Sequence, residues 1–122
     1  MNKILSSGIQ PKVFIVEYNA EFPPPMRFSI EYDENHSWDG SDYYGASLCT
    51  FNDLFEKFDY SLVCCNAATG ANAFFVKKKY LQKFPEVPDD ISEIYTSPNF
   101  NLYSSYGHQT SIKTVMNLIK AD

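Results

Sequence analysis

Apolar and polar positions recur with different periods along this chain, and the period predicts the elements. Val13, Phe14, Ile15 and Val16 form an unbroken β-rich apolar run, the pattern of a strand buried on both faces of a parallel sheet. Ahead of it, Ile4 and Leu5 stand among polar residues before Gly8, which predicts a helix end within Met1 to Ile9 with glycine just past it. From Ala46 the period lengthens. Leu48, Phe51, Leu54, Phe55 and Phe58 recur at helical spacing, predicting an amphipathic helix that ends near Lys57 and takes Asp42 or Ser47 as its N-cap. Ser61 to Asn66 and Ala71 to Lys77 are two further β-type runs joined by Ala67-Ala68-Thr69-Gly70, the mark of an antiparallel hairpin.

The remaining stretches are less regular. Pro23, Pro24 and Pro25 impose an extended segment, Phe28 to Tyr32 alternates like a short edge strand, and Asp33 to Gly40 is a polar loop. Tyr80, Leu81 and Phe84 suit one helical turn before Pro85, and Pro88-Asp89-Asp90 opens a short helix over Ile91 and Ile94. Pro98 to Gly107 reads as a tyrosine-rich loop. Ile112, Val115, Met116 and Ile119 share one face of a final amphipathic helix, Ser111 to Lys120, capped by Thr110 or Ser111.

Composition narrows the function classes. The 122 residues suit one domain, and the 44% apolar and 16% aromatic content can fill a core. A net charge of −5 with Arg27 as the single arginine argues against nucleic acid, whose binding rests on clustered Lys and Arg. No apolar run approaches the roughly 20 residues of a membrane span, and the N-terminal apolar segment is short for a signal peptide, so a cytoplasmic protein is expected. Cys49, Cys64 and Cys65 are read as reduced thiols. No metal site is expected: Asp33, Glu34 and His36 form a solvated loop cluster, and His108 is read as a surface residue.

Three segments carry a family resemblance. VFIVEYNA, WDGSDYYGASL and LVCCNAATGANAFFV, in that order, resemble the C-terminal half of FkbM-like S-adenosylmethionine-dependent class I methyltransferases, over about Ile4 to Leu81, with residues 82–122 as a tail. The resemblance implies an α/β, partial Rossmann-like fold: a short mixed sheet of parallel strands plus one antiparallel strand from the hairpin, with flanking helices. It implies transfer of a methyl group from S-adenosylmethionine to an oxygen or nitrogen acceptor, a sugar or other small metabolite. The glycine-rich turn and the ribose-binding acid of such enzymes have no counterpart, because Gly40, Gly45 and Gly70 are isolated. What remains resembles half an enzyme: either the chain is truncated or its missing half is supplied by another chain, and the expected partner is a missing N-terminal half or a second copy in a homo-oligomer.

Candidate chemistry gathers at two places. Glu17, Tyr18 and Asn19 end the first strand, where open α/β sheets place ligands. In the enzymatic reading Glu17 orients or deprotonates the acceptor and Asn19 hydrogen-bonds it; in the other, the three are a solvated strand end and a turn. Trp38 to Gly45 is a polar-aromatic loop, read either as a lid over an acceptor or as a capping loop that packs Trp38 on the sheet edge. The resemblance thus implies Glu17, Asn19 and Tyr44 as catalytic residues, and Tyr18, Trp38, Asp42 and Asn72 as acceptor contacts. Asn72 also suits a turn amide bonded to its own backbone. No cofactor-binding residue is assigned. Ser47 is read as a helix-start residue, and Cys64 and Cys65 as small hydrophobes in a buried strand. Two alternatives stand beside the enzyme: a non-catalytic association module, and a carbohydrate site on Trp38 and Tyr43.

Overall fold

The computed structural model describes residues 1–68 and 70–98. The loop beyond Pro98, His108 and the helix expected over Ser111 to Lys120 lie outside the described residues. The elements, in chain order, are α1 (Asn2–Ser6), β1 (Val13–Glu17), α2 (Leu48–Glu56), β2 (Tyr60–Cys65), β3 (Asn72–Lys77), a 3₁₀ helix (Lys78–Lys83) and α3 (Ile91–Ile94).

Their sheet has the order β1-β3-β2. Both ladders are antiparallel, with Val13 opposite Val76, Glu17 opposite Asn72 and Tyr60 opposite Lys77, and a register shift falls between Leu62 and Cys64. No parallel pair occurs among the described residues, and this overturns the Rossmann-like mixed sheet that the resemblance implies. The reason is the hairpin. β3 turns back from β2 and inserts beside β1, so each ladder joins strands of opposite direction; β1 and β2 flank β3 without pairing to each other, though Phe14 and Tyr60 meet edge to face across it, with centroids 5.1 Å apart.

Side-chain alternation sorts the sheet into two unequal faces. Phe14 and Val16 point to the same side as Ala73, Phe75, Tyr60 and Leu62, and this side meets α2. Phe55, fully buried, stacks on Phe75 with ring centroids 4.2 Å apart and lies 5.2 Å from Phe14 and 5.8 Å from Tyr60. Ile91, Ile94 and Tyr95 of the α3 region pack against the same cluster. On the opposite face Val13 is 47% and Ile15 60% exposed. The apolar run predicts a strand buried on both faces; among the described residues β1 is instead an edge strand with one covered face. Cys65 is likewise buried while its neighbour Cys64 is exposed, which corrects the reading of both as buried.

Helix α2 starts where its sequence provides a cap. Ser47 is extended, and its Oγ accepts from the Thr50 amide at 3.4 Å. The same hydroxyl accepts from the Phe28 amide at 3.1 Å and lies 2.9 Å from the Met26 carbonyl to which it donates. These bonds hold segment 26–30 beside the helix start. In place of the expected edge strand over Phe28 to Tyr32 there is one isolated bridge, Ser29 to Ala46.

Candidate functional site

The carboxyl end of β1 and the loop 38–45 are brought together by one buried amide. Asn19 is fully buried. Its backbone N–H donates to Ala46 O at 2.8 Å, and its side-chain Nδ2 donates to the carbonyls of Asp42 at 2.8 Å and Tyr44 at 2.9 Å. Its Oδ1 accepts from the Glu21 amide at 3.0 Å, an Asx turn that reverses the chain just past the strand. Asn19 therefore uses both donors and its acceptor on backbone, and holds the site together without facing it.

The loop is further stiffened by its own hydrogen bonds. Trp38 Nε1 donates to Ser41 O at 2.7 Å, the Ser41 amide to Asp39 Oδ1 at 3.0 Å and the Tyr43 amide to Ser41 Oγ at 3.2 Å. The Ser41 contacts hold the Asp39 carboxyl below its ordinary range. Gly40 sits within this turn at φ +89°, a conformation that L side chains rarely adopt. Trp38 meets Tyr44 edge to face, with centroids 6.2 Å apart, and is 66% exposed rather than packed on the sheet edge.

Strand end and loop enclose a concavity of about 590 Å³ lined by Glu17, Glu21, Trp38, Gly40, Ser41, Asp42 and Tyr44, within the roughly 300–1,000 Å³ usual for small-molecule sites. Tyr44 is half-buried against it. Its phenol is pushed above the ordinary tyrosine value, chiefly by burial and then by the Glu21, Glu17 and Asp42 carboxylates, so at neutral pH it is a hydrogen-bond donor and not a base. The lining carboxylates suit contact with a hydrogen-bond donor or a cation. A larger groove, about 710 Å³, runs between segment 26–32 and α2. There Arg27 and Asp53 satisfy each other at 2.6 Å.

Of the residues the sequence singles out, Glu17, Trp38, Asp42 and Tyr44 line the concavity. Tyr18 does not. It faces the core, 2% exposed, and donates its hydroxyl to Thr96 O at 2.8 Å. Burial, followed by the neighbouring Cys65, raises its pKa well above the ordinary phenol value, which makes it a structural hydrogen-bond donor. Asn72 stands opposite Glu17 across the ladder and is absent from the lining. Glu21 and Ser41 do line the concavity and escape sequence reading, since both lie in irregular chain whose direction depends on Asn19. His36 stacks edge-on to Tyr43 outside the concavity, with centroids 6.0 Å apart. Among the described residues no three His, Cys, Asp or Glu side chains are grouped to hold a metal ion, and no helix is long and apolar enough to cross a membrane.

S-adenosylmethionine, implied by the resemblance, calls for a backbone cradle of the kind a glycine-rich turn after a strand provides. The described glycines do not offer one. Gly70, the one nearest a strand, is closed off by this chain: a Cβ there would come within 2.6 Å of Thr96 O and closer still to Ser97 O. The described residues do not fit this cofactor. Comparisons with family models, with curated proteins and with solved structures find no match to this chain.

Proposed function

We propose that this chain is the acceptor-binding part of a methyl-transfer system, with the methyl donor held on further polypeptide, either an extension of the chain or a partner. The observation that carries the reading is the convergence of Glu17, Trp38, Asp42 and Tyr44, from two separate segments, on one concavity. Within it Glu17 is the candidate base, Tyr44 donates a hydrogen bond to the acceptor, Trp38 supplies an apolar wall, and Asn19 positions all of them from behind. The segment resemblance to methyltransferases supplies the reaction class. Three free cysteines suit a reducing, cytoplasmic setting.

Calorimetric titration tests this directly. A panel of small hydroxylated and amino compounds is expected to yield saturable binding that Trp38→Ala removes, while S-adenosylmethionine yields none with this chain alone. Saturable S-adenosylmethionine binding, or no member of the panel bound, contradicts the reading.

A second reading, an association module without catalysis, is favoured by β1 itself. Among the described residues no strand pairs with its outer side, and Val13 and Ile15 lie exposed along it. Open apolar edges of this kind promote strand pairing between chains. Light scattering distinguishes the readings: a module forms a dimer or larger species that Ile15→Lys dissociates.

A further inference from the structure

We infer that the concavity beside β1 selects an organic cation, an alkylammonium or quaternary ammonium group, over neutral compounds of the same shape. The inference rests on the acceptor-binding reading and narrows its ligand class. Its first support is charge. Glu17, Glu21 and Asp42 line the concavity, and among the described residues no Lys, Arg or His joins them. None of the three carboxylates takes part in a salt bridge among the described residues, where the ion pairs are Arg27 with Asp53 and Lys78 with Glu56.

The second support is the aromatic wall. Indole is the best of the side-chain rings at holding a cation over its face. Elsewhere the chain's own lysines lie over tyrosine rings: Lys3 over Tyr32, Lys77 over Tyr60, and Lys79 and Lys83 over Tyr80. No cation of the described chain lies over Trp38. Its ring is nonetheless held in place, by the 2.7 Å bond from Nε1 to Ser41 O and by the edge contact with Tyr44 at 75°. An exposed indole anchored through its Nε1, lining one concavity with carboxylates that form no salt bridge among the described residues, suits a methylated or alkylated ammonium, because a ring face attracts the methyl groups and the carboxylates balance the charge.

Titration with choline, its neutral isostere 3,3-dimethylbutanol and methyl glucoside, followed by Trp38 fluorescence and amide shifts in NMR, tests the inference. Choline is expected to bind and the isostere to bind at least about tenfold more weakly, with the choline affinity falling as salt rises. Trp38→Ala and the double variant Glu17→Gln/Glu21→Gln should each weaken choline about tenfold. Both lie at an exposed surface, and circular dichroism establishes that they fold. Equal binding of choline and the isostere, or binding of methyl glucoside alone, overturns the cation inference while leaving an acceptor site. Failure of all three ligands overturns both.

Discussion

Asn19 makes three side-chain hydrogen bonds to backbone in a place closed to water, and its replacement exposes the logic of the site. Asn19→Ala leaves the Glu21 amide and the Asp42 and Tyr44 carbonyls without their partner. The expected cost is about 2–3 kcal/mol of stability, with Trp38 emission shifted as the loop loosens, measured by urea denaturation and fluorescence. Tyr18 offers a pH test. Its folded pKa is raised above the ordinary value of 10.0, so its contribution is fully present below about pH 10 and is lost as pH rises through the folded value. Tyr18→Phe should cost about 1 kcal/mol at neutral pH and flatten, without abolishing, the alkaline loss of stability, since Tyr44, Tyr60 and Tyr95 shift the same way. Sequence reading places Glu17, Tyr18 and Asn19 together at a strand end, yet alternation sends them apart: Glu17 toward solvent, Tyr18 into the core. Which face is covered is a tertiary fact that three consecutive polar-edged residues do not disclose.

At the scale of elements, what is local is legible. The spacing of Leu48, Phe51, Phe55 and Phe58 and the cap at Ser47 predict α2, and the two β-runs around Gly70 predict the β2–β3 hairpin, because periods and turn chemistry are short-range. Strand order is not short-range. The run Val13 to Val16 is as apolar as a central strand, but among the described residues β1 lies at the edge, with Phe14 and Val16 on its covered side. Paired substitutions separate the two faces. Phe55→Ala, at the centre of the aromatic cluster, should cost about 3–5 kcal/mol, whereas Ile15→Lys on the open face should change stability by no more than about 0.5 kcal/mol and reduce any self-association. Thermal denaturation beside light scattering reads both; a large loss of stability from Ile15→Lys would mean that the outer face is covered.

For the molecule as a whole, the described sheet packs one face on α2 and α3, and the concavity sits at the end of β1, close to that strand's exposed Val13 and Ile15. Glu17, Glu21 and Asp42, three of the chain's 15 acidic residues, line the concavity, with no basic residue among the described lining. The described sheet is antiparallel and the described glycines form no donor cradle, which confines the proposed function to the acceptor side. The most direct test is an amide-resolved NMR titration of the whole chain with a library of small amines and alcohols. Shifts are expected at Glu17, Glu21, Ser41, Tyr44 and the Trp38 indole; shifts centred on the groove beside α2, or no saturable shift at all, would contradict an acceptor site at the end of β1.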